Sequence, residues 1–176
     1  MTELKIKKFK LGKENKPIIV YDEIITDDEN TVVVNEISLT GGNAIHEDMK
    51  TALSKLDFHL AEICEQTGKS KSVKKGGDII DSVPNIQVTG YSIGGDDTDS
   101  EGVTLIGKRN LKSGKVLNLV APYNSFDGEL NDYQHLPDLS GEVNSCNEEA
   151  IKYIGGKPAP VAQLELFGVG ENEDLN

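Results

Sequence analysis

Residues 17–39 read PIIVYDEIITDDENTVVVNEISL. Two β-branched runs, PIIVYDEII (17–25) and TVVVNEISL (31–39), flank the turn-forming stretch TDDEN. Branching at Cβ suits the pleated backbone, while Asp and Asn favour turns, so the segment reads as two strands around a reversal. Just before it, LKIKKFKL (4–11) alternates apolar and basic residues, the period-two pattern of a half-buried strand. Three strands therefore come in succession. Runs of strands, rather than strict strand–helix alternation, point to an α+β fold.

The pattern then changes period. In NAIHEDMKTALSKLDFHLAEICEQTG (43–68), Ile45, Met49, Ala52, Leu53, Leu56, Leu60 and Ile63 recur at helical spacing. Asn43 reads as the N-cap and Gly68 as the stop. Residues 68–85 are polar and basic and read as a long loop. NIQVTGYSIGG and GVTLIGKRNL read as strands around the acidic turn GGDDTDSEG, and KVLNLVAP extends a second hairpin through LKSGK. A second helix starts at LPDL, with Pro137 in its first turn, and runs to about Ile154. The expected order is βββ–α–βββ–α, an antiparallel sheet of about six strands with two helices. Residues 1–155 form the domain, and 156–176 form a linker and an acidic tail.

Composition limits function more than it defines it. The chain has 176 residues, 36% of them hydrophobic, which is enough for one domain with a real core. Two cysteines without metal-ligand spacing suit a reducing compartment, and no segment is apolar enough to cross a membrane. A cytoplasmic protein with no membrane partner is expected. The net charge of −12 opposes nucleic acid on average, but the charges are segregated. Of 18 Lys and Arg, six lie in residues 5–16, four in KSKSVKK (69–75) and four in KRNLKSGK (108–115). Such segregation allows a basic surface under an acidic total.

No catalytic constellation emerges. His46, His59 and His135 lack a partner at ligand spacing, and Cys64 and Cys146 lack a nucleophile signature. No cofactor motif is present, so no catalytic residue and no cofactor are expected. Asp96, Asp97 and Asp99 are weak cation candidates, better explained as turn chemistry. The stronger candidate is the acid-free stretch 102–126. Its Lys108, Arg109, Lys112 and Lys115, with Tyr123 and Phe126, offer the phosphate neutralisation and stacking that single-stranded nucleic acid needs. Lys71, Lys74 and Lys75 are assigned to the same surface.

The chain ends in PVAQLELFGVGENEDLN (160–176). Gln163-Leu164-Glu165-Leu166-Phe167 resembles the pentapeptide by which bacterial polymerases and repair proteins bind the replicative sliding clamp. That family runs glutamine, leucine, a small or acidic residue, leucine, phenylalanine. The resemblance implies that Gln163 anchors by its amide, Leu164 enters a small pocket, and Leu166 and Phe167 fill a larger one. The competing reading is a last strand that buries Leu164 and Leu166 at home. Separately, residues 45–65 and 102–122 resemble segments of small uncharacterised proteins of tailed bacteriophages. Together these imply a non-enzymatic replication or recombination accessory whose partners are the clamp and single-stranded DNA. A clamp inhibitor that mimics DNA, and a metal-dependent nuclease or small-ligand binder, are the alternatives.

Overall fold

A computed structural model of the chain describes residues 1–27, 31–66, 85–95 and 101–160. Along it run β1 (Thr2–Leu11), β2 (Pro17–Thr26), β3 (Val32–Thr40), α1 (Glu47–Ile63), β4 (Ile86–Gly94), β5 (Gly102–Asn110), β6 (Val116–Val120), β7 (Asn124–Ser125) and α2 (Leu136–Ile154). The seven strands form one sheet, ordered β3-β2-β1-β4-β5-β6, with β7 paired to the start of β5. Every pairing is antiparallel. The α+β architecture expected from sequence is present, with one strand more. That strand is the two-residue β7, whose Asn-Ser sequence carries no hydrophobic pattern to read.

The helices cover one face of the sheet, and two bulges keep the apolar residues aimed at them. Ile6 and Phe9 are both buried, although three residues apart they fall on opposite faces of a regular strand. A register shift between Ile6 and Lys8 restores the phase, so the double lysine inside KIKKFK marks a bulge. In β4, Val88 and Tyr91 repeat the arrangement across a shift between Val88 and Gly90. Phe9 and Tyr91 then stack with ring centroids 5.9 Å apart, and the Tyr91 hydroxyl donates to Asn147 of α2 at 2.8 Å.

Helix α1 begins later than the sequence suggested. Its N-cap is His46, whose Nδ1 accepts the Asp48 N–H at 3.2 Å, rather than Asn43. Residues 44 and 45 are held instead as extended chain: Ile45 N–H donates to Asn15 O and Ala159 N–H to Ala44 O. The helix ends at Ile63, and Glu65 turns the chain at φ 54°. Gly68, the expected stop, lies outside the described residues. Helix α2 buries Leu136, Leu139, Val143, Cys146 and Ala150 on one stripe, and its last residue, Ile154, is half-buried. The stretch after it is more than a linker. Lys157 pairs with Asp48 at 2.6 Å and Glu149 at 3.1 Å, and Pro158 bridges to Ile45, so the domain closes near residue 159.

Candidate nucleic-acid interface

Antiparallel order gives the sheet two distinct ends. β1 and β5 run in the same direction, so the C-terminal ends of both lie together with the start of β4. The β5–β6 turn, Leu111–Lys115, projects from this end, closed by Leu111 N–H to Lys115 O at 2.8 Å. The segment 67–84 leaves from Gln66, which accepts from Arg109, and returns at Asn85, whose carbonyl accepts from Asn110 N–H at 2.8 Å. The end of β1, the β5–β6 turn and the chain ends that flank residues 67–84 thus meet at one end of the sheet. The β2–β3 and β4–β5 connections, with the acidic sequences 27–29 and 96–101, leave from the opposite end.

The cross-strand register assigns each side chain to a face. Lys8 pairs with Ser92, which pairs with Thr104; Lys10 pairs with Gly90, which pairs with Ile106; Gln87 pairs with Lys108. Lys8, Lys10 and Lys108 therefore share the face opposite the helices. Lys8, Lys10, Lys112 and Lys115 are exposed and Lys108 is half-buried. None of these five has an ion-pair partner among the described residues. Nearer the acidic end the lysines are neutralised: Lys5 lies 3.5 Å from Glu101, and Lys7 lies 2.7 Å from Glu36 and 3.7 Å from Asp22. The bond to Glu36 is the chief reason that the Lys7 ammonium is held above its ordinary pKa.

The other assigned residues separate. Arg109 points to the helix side and donates to Gln66 Oε1 at 2.7 Å, so its guanidinium joins α1 to β5. Tyr123 and Phe126 lie at the acidic end: the Tyr123 hydroxyl donates to Gly94 O at 3.2 Å, and Phe126 N–H donates to Glu101 O at 2.8 Å. Phe126 also packs against the core. The aromatics and the lysines of the 102–126 stretch are therefore not brought together, because the hairpin returns the chain along the full sheet. Lys71, Lys74, Lys75, Asp96, Asp97, Asp99, Gln163, Leu164, Leu166 and Phe167 lie outside the described residues.

A cleft opens at the basic end that sequence reasoning missed. β1 and β4 pair over only three residues, Lys8–Lys10, and then part as β1 turns away at Gly12. Helix α1 spans the gap, leaving a cavity of about 170 Å³ lined by Leu11, Asn15, Leu53, Asp57, Gln87 and Val88, among others. Asp57 is 7% exposed, and its Oδ1 accepts the Val88 N–H at 2.6 Å. Burial raises its carboxyl pKa to about 7, the Val88 hydrogen bond opposing the rise. The sequence signal was available: Asp57 falls on the apolar stripe, four residues after Leu53 and three before Leu60.

A second polar cluster is structural. His59, fully buried, has Nδ1 2.8 Å from the Tyr133 hydroxyl and Nε2 2.9 Å from Glu142 Oε2, the latter at ion-pair distance but outside hydrogen-bond alignment. Phe58 and Tyr133 pack edge-on against it, and His135 packs edge-on against both of them. Neither cysteine is an activated nucleophile: burial pushes the Cys146 thiol up to about 12 and raises that of Cys64. Among the described residues, no three His, Cys, Asp or Glu side chains are grouped to hold a metal ion. Among the same residues, no helix is long and apolar enough to cross a membrane. Compared with protein families, curated proteins and solved structures, the chain matches none.

Proposed function

We propose that this protein is a non-enzymatic accessory of phage or mobile-element DNA replication, recombination or repair. Gln163–Phe167 recruits it to the bacterial sliding clamp, and the basic end of its sheet holds single-stranded DNA. The observation that carries this reading is the full five-position match of Gln-Leu-Glu-Leu-Phe to the clamp-binding peptide. Its setting supports it. The last backbone anchor among the described residues is Ala159, four residues before Gln163, and the described core is filled by residues up to Ala150. Short apolar anchors that enter pockets carry most of the energy of such contacts.

The DNA-binding part rests on Lys10, Lys108, Lys112 and Lys115, which lie toward one end of the sheet, and on Lys8 further along the same face, none of them with a carboxylate partner among the described residues. Unpaired ammonium groups bind phosphate by releasing counterions, which needs charge density and no base-specific geometry.

Calorimetric titration of the intact protein into a purified bacterial sliding clamp tests the recruitment. Binding lost in a Leu166→Ala/Phe167→Ala variant of unchanged fold is the expected result. Absence of binding by the parent protein removes the proposal. Clamp binding without any affinity for single-stranded DNA transfers the same peptide to a clamp inhibitor.

A further inference from the structure

The sheet is wider than its helices. Helices α1 and α2 pack mainly on β1, β4 and β5, while β3 pairs only with β2 among the described residues. β3 is a nine-residue edge strand without lysine, proline or bulge, the usual guards of a bare edge. Val32, Val33 and Val34 are 58%, 49% and 56% exposed along it. Pairing with the buried Ile19 and Tyr21 puts Leu39 and Ile37 on the helix side, where both are half-buried. Beside them, the ends of β3 and α2 flank a groove of about 220 Å³, lined by Leu39, Gly41, Gly42, Tyr153, Ile154 and Pro158 among others. The chain is led to this groove after α2. Pro158 bridges antiparallel to Ile45, and Ala159 N–H donates to Ala44 O at 2.8 Å. In a planar trans peptide unit the N–H and C=O point in opposite directions. Ile45 N–H goes to Asn15 in the β1–β2 turn, so the Ala44 carbonyl points away from that turn, and the outgoing chain lies there.

We propose that the outer edge of β3 is the docking site of the chain's own tail, which adds to the sheet as an antiparallel strand and sets Leu164 and Leu166 beside Leu39 and Ile37. The direction is already that of the Ile45–Pro158 bridge. At the register of that bridge, Leu164 falls opposite Leu39 and Leu166 opposite Ile37, across the bend at Gly42 and Asn43. Residues two apart share one face of a strand, so both leucines meet the half-buried pair and the groove beside it. Extended at about 3.3 Å per residue, residues 160–169 span roughly 33 Å, enough to run the length of β3. Main-chain bonds to the bare edge supply affinity, and the alternate side chains fix the register. A second copy of the chain is the rival occupant. The tail begins next to the groove, and so short a tether gives an effective concentration of about millimolar, which a partner in dilute solution does not match. The proposal deepens the recruitment reading and rests on it: Gln163–Phe167 serves either β3 or the clamp, so the clamp binds only the undocked fraction.

The test uses the full-length chain and a Gly42→Phe variant. Gly42 lines the groove and a Cβ there meets nothing within 4 Å, so the added ring occupies groove space while the tail keeps its sequence. Hydrogen exchange resolved by residue is the first readout. In the parent, the amides of residues 164–167 should exchange about three- to fivefold more slowly than in the isolated peptide, the modest docking that leaves the peptide usable. Saturating clamp should speed exchange at the outward amides of β3. Gly42→Phe should abolish the tail protection and bind the clamp more tightly by the same factor, because one docking equilibrium sets both. Tail amides as fast as those of the isolated peptide, in a parent that binds the clamp, overturn the docking and leave recruitment standing. Tail protection that survives in Gly42→Phe, with β3 unaltered by clamp, places the tail elsewhere and overturns the site. Protection of β3 that rises with protein concentration, alongside a doubled sedimenting mass, overturns it in favour of a second copy. Protection of both tail and β3 without clamp binding by either protein supports the docking and removes the recruitment reading.

Discussion

The Asp57 carboxylate stands in for a missing β-ladder rung, accepting the Val88 N–H at 2.6 Å where β1 has already turned away. An unmatched backbone donor at that depth is costly, so a buried acid on the helix stripe is retained despite its desolvation. The carboxyl pKa rises from 3.8 to about 7, so the folded state binds this proton more tightly than the unfolded chain does. The contribution is therefore favourable below pH 4, falls as pH rises through the interval from about 4 to 7, and stays lost above 7. Asp57→Asn should thus be more stable than the parent at pH 8 by about 2 kcal/mol, an advantage that disappears toward pH 4. Asp57→Ala, which abandons the Val88 N–H, should lose about 1–3 kcal/mol at pH 4, where the parent carboxyl is neutral. Urea denaturation of the three proteins across pH 4–8 checks both.

Gly107 is packed too closely for any side chain. A Cβ there would run into the Gln87 carbonyl oxygen and the Leu60 Cδ2. The first is backbone within the β4–β5 pairing and cannot retreat without breaking it. Gly107→Ala should cost about 2 kcal/mol or more, within the range of overpacked interiors. Gly141, exposed in α2, is the opposite case, because a Cβ there meets nothing within 4 Å. Gly141→Ala should stabilise by roughly 0.5–1 kcal/mol through the lower entropy of its unfolded chain. Thermal melts of both variants should move in opposite directions.

The His59 cluster ties the loop before α2 to α1. Tyr133 reaches His59 Nδ1 with its hydroxyl at 2.8 Å, a bond between residues 74 apart in sequence. Tyr133→Phe keeps the ring contacts and removes the hydroxyl, leaving the imidazole nitrogen buried, so a loss of about 1–2 kcal/mol is expected. His59→Ala opens a cavity and strands both Tyr133 and Glu142, and should cost about 3 kcal/mol or more. Chemical denaturation that finds the two variants equal would show that the imidazole contributes only through Tyr133.

Much of the fold was written in local sequence, and the site was not. The β-branched runs flanking TDDEN, the helical spacing from Met49 to Leu60 and the stripe from Leu139 to Ala150 are nearest-neighbour signals, which depend only on which face each side chain meets. The bulges at Lys7 and Thr89 were half visible as broken alternation in IKKF and VTGY. What no local pattern carried was where the ends of strands meet. The convergence of residues 10–16, 66, 85 and 108–115 follows from the strand order, which is set by long-range pairing of β1 with β4. For the same reason Tyr123 and Phe126, near the lysines in sequence, sit at the far end of the sheet.

The segregated charge makes a quantitative demand on DNA binding. Lys8, Lys10 and Lys108 share the uncovered face and lack carboxylate partners among the described residues. Each phosphate neutralised on a single strand contributes a salt slope of about 0.7. Replacing all three by alanine should therefore lower the slope of log affinity against log salt by about 2. Lys5→Ala and Lys7→Ala, whose ammonium groups already face Glu101, Asp22 and Glu36, should lower it far less. A slope that falls equally for both sets would mean that DNA reads the sheet's total charge rather than its basic end.

Removal of residues 161–176 separates the two roles assigned to the chain. Every strand of the described sheet lies before residue 126, α2 ends at Ile154, and the last backbone tie among the described residues is Ala159 N–H to Ala44 O at 2.8 Å. If Leu164 and Leu166 bury themselves in another protein, the truncated domain should keep its melting temperature, within about 1 kcal/mol of the parent's stability, and lose all affinity for the clamp. If they instead complete this domain as a strand, their loss exposes apolar surface at home. Full burial of a leucine is worth about 1.5–3 kcal/mol, so a two-leucine strand should cost several kcal/mol. The lysines of the basic end are untouched by the truncation, so its salt-dependent binding to single-stranded DNA should match that of the parent. A domain that melts early would assign the peptide to the fold, and clamp recruitment would then lose the observation on which it stands.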